Sequence, residues 1–483
     1  MKFHRAMPVA QALLLFAALL GSAVLPPDAH AGWDNDKLIS CLTCNAQSPK
    51  LAVHPNGNAV AVWVENSGPI FTIAASRYDA TSGLWGNLKR DAATASAPGK
   101  ANPKAGKIDR IYAGTREVAN PQIGMDQDGN AFVVWTEPDS KAIIASRLSA
   151  KARAWTAPVV IDSINADPES IRLAVNADGN AVAMWHAINL EAAYAPMIAA
   201  RYNARTDAWE PGQTIEAPEH VSFRASVTAG PPGQFFAVWT QLAGNSWVIA
   251  GAGYDVAQRG WRKPVPIAAA AADGGQLEFP NVVMDQLGNV SVAWYEQDTR
   301  VEENYGNIVV RRYSALDKQW SAPTKFIEGA LQDASMAVDR AGNLFLAWTN
   351  VVDNVYKTVA ARFDLRAGRW STPQAISGNQ ETSRSIVAVD AAGNAIVAWE
   401  AYDGASSGEE SGPPLSRPTS ARYHAGRQQW DAPVVIPSTG RAGIQPQVGM
   451  DAKGNAVAVW MQDSGGRTQD DVVWSIHANR STE

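Results

Sequence analysis

The stretch "PQIGMDQDGNAFVVW" (121–135) recurs along almost the whole chain, and that repetition constrains the fold more than any other feature. Copies read "PKLAVHPNGNAVAVW" (49–63), "IRLAVNADGNAVAMW" (171–185), "PNVVMDQLGNVSVAW" (280–294), "ASMAVDRAGNLFLAW" (334–348), "SIVAVDAAGNAIVAW" (385–399) and "PQVGMDAKGNAVAVW" (446–460), with a degenerate "VTAGPPGQFFAVW" at 227–239. Eight tryptophans end the motif: Trp63, Trp135, Trp185, Trp239, Trp294, Trp348, Trp399 and Trp460. A unit of this length cannot bury its own apolar face, so neighbouring copies must stack.

Each copy continues in the same way. A variable polar segment precedes an apolar run ending in Arg-aromatic, as in "TIAASRY" (72–78) and "TVAARF" (358–363). A turn then leads to Trp and two or three aliphatics, as in "WTAPVVI" (155–161) and "WDAPVVI" (430–436). The second series is Trp85, Trp155, Trp209, Trp261, Trp320, Trp370 and Trp430. These pieces predict four short strands per unit, named a to d, with no helical period. Radially repeated four-stranded units are the signature of a β-propeller.

The two ends decide the count. After Trp460 the chain supplies a strand-c candidate, "DVVWSIH" (471–477), and no strand d. Near the start, "GWDNDKLIS" (32–40) has the strand-d pattern with no a, b or c before it. The expected fold is therefore all-β, an eight-bladed propeller whose last blade combines one N-terminal and three C-terminal strands. That closure removes an open sheet edge. Seven blades with a stray half-repeat is the alternative.

Residues 1–31 read as a signal peptide: Lys2 and Arg5, the apolar run "VAQALLLFAALLGSAVL" (9–25), then the small-x-small site "AHA" (29–31). Export to the periplasm or beyond is the expectation, with residues 32–483 forming one domain. Without the leader the balance is 39 basic to 46 acidic residues, net −7 (41 less Lys2 and Arg5; 47 less Asp28), which disfavours nucleic acid as a partner. Cys41-Leu-Thr-Cys44 reads as a local disulfide, as befits an exported chain.

The c–d hairpin, for example "SRYDATSGLW" (76–85), resembles the Asp-box of sialidase-like propellers, Ser-x-Asp-x-Gly-x-Thr-Trp. Asp79, Gly83 and Trp85 match it with one residue of extra spacing, whereas "RLSAKARAW" (147–155) lacks the Asp and the Gly. The hairpin is also similar to the Trp-docking repeat of quinoprotein dehydrogenases, whose adjacent cysteine pair this chain lacks. The resemblance implies an exported bacterial propeller. It transfers no catalytic residue. Sialidases carry an early Phe-Arg-Ile-Pro and a Tyr/Glu nucleophile pair, and the nearest string here is Phe223-Arg224-Ala225-Ser226.

Features repeated in every blade are expected to be scaffold, and a site should break the symmetry. Asp126, Asp128, Asn130 and Glu137 outline a calcium loop, but the glycine falls at position 4 instead of 6 and a strand follows, so a tight hairpin is the expectation and no metal is assigned. The strand-c arginines (Arg77, Arg147, Arg201, Arg312, Arg362, Arg422) are expected to stack on a neighbouring Trp or to pair within a blade.

Two polar, non-identical rings are the candidate site, by analogy with other propellers, whose ligands sit on the b–c/d–a face at the channel mouth. One ring lies two residues after the strand-b Trp: Glu65, Glu137, Gln241, Glu296, Asn350 and Gln462. The other lies thirteen residues before it: Lys50, Gln122, Arg172, Asn281, Ser335 and Gln447. The long b–c loop 400–420 and the basic d–a insertion 88–120 flank that face. Non-enzymatic binding of a glycan or of an envelope or extracellular protein is the expectation, by a monomer without a cofactor. The alternatives are a diverged sialidase-like hydrolase, for which carboxylate pairs such as Glu302/Glu303 are the raw material, and an envelope scaffold.

Overall fold

The computed structural model describes residues 32–86, 108–163, 166–188, 195–216, 221–255, 258–270, 275–298, 306–330, 334–403, 415–438, 442–463 and 472–482. The leader, most of the 88–120 insertion, most of the 400–420 loop and Glu302/Glu303 lie outside that set.

Eight four-stranded antiparallel blades form a ring. In blade 1 the order from the centre outward is Ala46–Val53, Ala59–Ser67, Ile70–Asp79 and an outer strand in two pieces, Leu84–Trp85 and Asp109–Gly114. The break lets the Trp-bearing piece pair at one end of strand c and the aliphatic piece at the other. Inner strands of the remaining blades are Ala119–Met125, Arg172–Val175, Val221–Ala229, Gly275–Met284, Ser335–Val338, Glu381–Val389 and Gly443–Met450. Each inner strand packs on the next around the ring and the last packs on the first, so together they enclose the central channel. Blade 4, whose copy of the motif is degenerate, places Ser226 thirteen residues before its Trp239.

The ring closes as the repeat predicts. Lys37–Leu38 pairs with Trp474–Ser481, Lys37 opposite Ala478 and Leu38 opposite His477, and Trp33 bridges Ser481. Strand c of this blade runs four residues further than the expected 471–477. That extension puts Arg480 opposite Val457, the place Arg77 takes opposite Val60, so Arg480 is a further member of the arginine series.

The Gly-Asn hairpin is a hydrogen-bond device. Asp126 Oδ1 accepts from the N–H groups of Asp128 (3.0 Å) and Asn130 (2.8 Å), and Oδ2 accepts from Asn130 Nδ2 (2.7 Å). Asn130 Oδ1 then accepts from Ala150 N (3.0 Å), tying the a–b hairpin to the c–d turn. Asp285, Asp390 and Asp451 repeat the arrangement. Gly129 sits at φ +82°, where a side chain would be strained. The Asp126 carboxylate is thus fully engaged by backbone and amide donors.

Aromatic and cationic side chains join the blades. All eight strand-b tryptophans are at most 3% exposed. Three of the arginines reach the strand-c aromatic of the following blade, not the expected Trp. Arg147 lies 5.9 Å from the Tyr202 ring, Arg201 5.4 Å from Tyr254 and Arg312 4.6 Å from Phe363. Each such contact contributes about 0.5–1 kcal/mol. Pairing within a blade also occurs, as Arg201 with Glu210 (2.9 Å) and Arg77 with Asp109 (2.9 Å).

Candidate functional site

The residues two places after the strand-b Trp divide into three groups. In blades 1, 4, 6 and 8 they accept the indole N–H: Glu65 from Trp63 (2.9 Å), Gln241 from Trp239 (3.3 Å), Asn350 from Trp348 (3.2 Å) and Gln462 from Trp460 (3.0 Å). Strand alternation puts residues i and i+2 on one side of the sheet, which brings these groups together. Blades 3 and 7 carry Ala187 and Ala401 instead, and the indoles of Trp185 and Trp399 have no acceptor among the described residues.

Blades 2 and 5 break the pattern. Glu137 turns away from Trp135 and accepts from Tyr112 O–H (2.7 Å), Arg116 Nη1 (3.1 Å) and the Ser140 hydroxyl. Burial alone would raise the Glu137 carboxyl, but the hydrogen bonds from Ser140, Tyr112 and Arg116 outweigh it and hold the group below its ordinary value. Burial first, and then the bond to Glu137, push the Tyr112 phenol up to about 12. The pair has the composition of a Tyr/Glu nucleophile pair, yet its electrostatics keep the phenol protonated and make the carboxylate a weak base. Glu296 leaves Trp294 in the same way and pairs with Lys325 (2.9 Å).

A testable asymmetry follows from the first two groups. Trp63→Phe removes the donor to buried Glu65, whereas Trp185→Phe removes an indole that has no acceptor among the described residues. The first is expected to cost about 1–2 kcal/mol more in chemical unfolding. Equal costs would mean that the Trp63–Glu65 bond contributes nothing to stability.

Glu65 also faces the only cluster of potential metal ligands among the described residues, with Cys41 and Cys44. The cysteines are joined in a disulfide with Cα atoms 5.5 Å apart, which removes both sulfurs as thiolate ligands. Burial raises the Glu65 carboxyl, opposed by the Trp63 N–H, by Arg110 and by the backbone of Cys41.

The second candidate ring lies on the inner strands, and its members are half-buried. Several are held locally. Gln122 Nε2 donates to Asn120 Oδ1 (2.9 Å), Gln447 Nε2 to the Pro446 carbonyl (3.0 Å), and Ser335 Oγ accepts from Val387 N of the next blade (3.2 Å). Arg172 Nη1 donates to the carbonyls of Glu169 (2.8 Å) and Ile171 (2.9 Å). Lys50 is different. Burial, and secondarily Arg172, lower its pKa to about 8, and no carboxylate among the described residues pairs with it. The channel therefore brings Lys50 of blade 1 and Arg172 of blade 3 within electrostatic reach of each other, which nothing in their sequence separation indicates.

Two residues before this ring is a feature the repeat did not reveal. Ser48, Asn120, Arg224, Phe279, Arg384 and Gln445 all have φ between +47° and +55°, each at a register shift in its inner strand. They are β-bulges with non-glycine residues in the left-handed region, a strained conformation repeated on six inner strands. A signal was present: Pro49, Pro121, Pro280 and Pro446 follow four of them, and a proline inside an otherwise regular strand marks a bulge. Glu400 stabilises the bulge of blade 8 by accepting from Gln445 N (2.7 Å).

Clefts also open on the opposite face, between neighbouring c–d hairpins. One of about 980 Å³ lies between blades 5 and 6 and is lined by Arg312, Trp320, Phe363 and Trp370. Smaller versions between blades 4 and 5 (about 600 Å³) and 7 and 8 (about 310 Å³) use equivalent positions, so these clefts follow the blade repeat.

No protein-family model matches the chain, and no curated protein matches it. Among solved structures it is similar to a polysaccharide lyase (8% identity over 88% of each chain, TM-score 0.46) and to an ulvan lyase described as a new family of polysaccharide lyase (10% identity, 74% of this chain and 94% of that one, TM-score 0.48). It is also similar to a microbial sialidase (10% identity, 79% of this chain and 78% of that one, TM-score 0.38). At such identities the likeness is one of propeller architecture.

Proposed function

We propose that this chain is an exported, non-enzymatic binding propeller that holds a glycan, or an envelope or extracellular protein, at the channel mouth on its b–c/d–a face. One observation carries the reading. Thirteen residues before the Trp the inner strands carry unlike side chains from blade to blade, seven of the eight polar. There the eight blades present Lys50, Gln122, Arg172, Ser226, Asn281, Ser335, Ile386 and Gln447. A ring of unlike hydrogen-bonding groups around one axis suits an asymmetric polar ligand. Most polar residues of the other ring are spent on indoles or ion pairs, which supports a positional role for them.

A second reading, a diverged glycoside hydrolase, is favoured by one constellation, Tyr112 with Glu137 and Arg116. The held-down Glu137 carboxyl and the raised Tyr112 phenol weigh against it. Glycan-array binding should be measured beside release from fluorogenic glycosides, with wild type, Glu137→Gln and Glu296→Gln. Binding without turnover is expected. Turnover lost in either variant would overturn the non-enzymatic reading, and an empty array would move the ligand to the protein class.

A further inference from the structure

Among the described residues, the channel-lining strands bring together two cations, of which only Arg172 has acidic neighbours. Lys50 and Arg172 occupy equivalent places on the inner strands of blades 1 and 3, with Gln122 of blade 2 between them. The Lys50 ammonium has Arg172 as its charged neighbour and, among the described residues, no carboxylate partner. Arg172 feels Asp167 and Glu169, but its Nη1 donates to backbone carbonyls, and Asp167 is engaged by His186 Nε2 (3.3 Å) and Glu169 N (2.9 Å). Arg224, at the bulge of blade 4, adds further repulsion to Arg172, and itself stands 3.8 Å from Glu278 and over the Phe279 ring at 3.9 Å. Enclosing an unpaired cation beside another is costly, and an anion between them reverses the sign of that interaction. The chain as a whole carries a net charge of −6, so an anion is drawn to this locus and repelled by much of the remaining surface.

We infer that Lys50, Gln122 and Arg172 form an oxyanion site in the central channel, taking a sulfate or phosphate group either free or carried on a larger ligand. The inference rests on the channel mouth being the ligand-binding region and names the chemistry it selects. Lys50 supplies a compact ammonium and Arg172 a planar donor set, while the Gln122 amide can exchange its bond to Asn120 for one to the anion.

The test is isothermal titration of the full chain with sodium sulfate and sodium phosphate, against sodium chloride at matched ionic strength. Sulfate or phosphate is expected to bind and chloride not. Affinity should fall at least tenfold in Lys50→Met and in Arg172→Met, and stay unchanged in Lys151→Met, whose lysine is exposed on a c–d turn. Binding should also weaken as pH rises through about 8, the value to which Lys50 is lowered. Undiminished binding by Lys50→Met, or equal responses to chloride and sulfate, would overturn the site. A sulfated oligosaccharide that binds at least tenfold tighter than free sulfate would place the group on a glycan; equal affinities would make the free anion the ligand. Sulfate binding with an empty glycan array would leave the oxyanion site standing and remove the glycan reading. Glycan binding without an anion effect would do the reverse.

Discussion

Deleting residues 32–40 opens the ring, and the expected result is a loss on the order of 5–10 kcal/mol of stability, among the largest that so short a change can produce here. The segment supplies the outer strand of blade 8. It buries Ile39 at 1% exposure and sets Asp36 against His477 Nδ1 at 2.7 Å, with both side chains about 8% exposed. It also gives Ser40 Oγ as acceptor to Ile476 N (2.7 Å), and Trp33 Nε1 reaches Ser420 Oγ of blade 7 (2.9 Å). Removal leaves His477 without its carboxylate and exposes the edge of Trp474–Ser481, so aggregation on warming should accompany the loss. The measurement is the denaturant midpoint together with light scattering. A permuted chain beginning at Cys41, with 32–40 rejoined after residue 483 through a three-residue linker, should recover most of the stability. In that chain six residues separate Ser481 from Trp33, as six separate Tyr78 from Trp85. A deletion as stable as wild type would show that closure contributes little.

Ring closure was legible in the sequence because Trp33 stands 30 residues before Trp63, much as Trp370 stands 29 before Trp399. Trp, in eight copies, and Gly-Asn, in seven, act locally, in packing and in turn geometry, so copy after copy reports the same structure. The candidate site was legible only as positions. Glu65, Glu137 and Glu296 have the same identity and register, yet one binds an indole, one a Tyr and an Arg, and one a Lys. Tyr112 comes from the outer strand of the preceding blade, 25 residues before Glu137, and Lys325 from the outer strand of Glu296's own blade, 29 residues after it, so packing between blades selects the one and packing within a blade the other. The same holds on the inner ring. Lys50 and Gln122 read alike as polar rim residues, but the lack of a counter-charge around Lys50 emerges when strands from three blades face one channel. The bulges sit between these cases, because their prolines were visible and the left-handed residue before each was not.

Lys50→Met should make the protein more stable at neutral pH, although it replaces a charged residue on an enclosed channel strand. The sign follows from the folded pKa of about 8 against an ordinary 10.5. Below pH 8 both folded and unfolded chains carry the proton, and the folded state bears the full cost of the ammonium. Between about 8 and 10.5 the unfolded chain holds more protons than the folded one, so wild-type stability rises with pH through that window. Above it both states are neutral and the penalty is gone. A shift of this size corresponds to about 3 kcal/mol, which channel water around the half-buried side chain reduces to about 1–3 kcal/mol. The variant should therefore gain that amount at pH 7 and lose its advantage by about pH 11, read as paired urea midpoints across pH. Saturating sulfate should narrow the gap at pH 7, because a ligand that binds only the folded wild type stabilises it by RT ln(1 + [L]/Kd). If Lys50→Met were destabilising at pH 7, the ammonium would have to be making a favourable contact in the folded chain. If the gap stayed constant from pH 7 to 11, charge would not be its cause. The expected pattern, a cost removed either by deprotonation or by an anion, is what separates a binding cation from a scaffold residue.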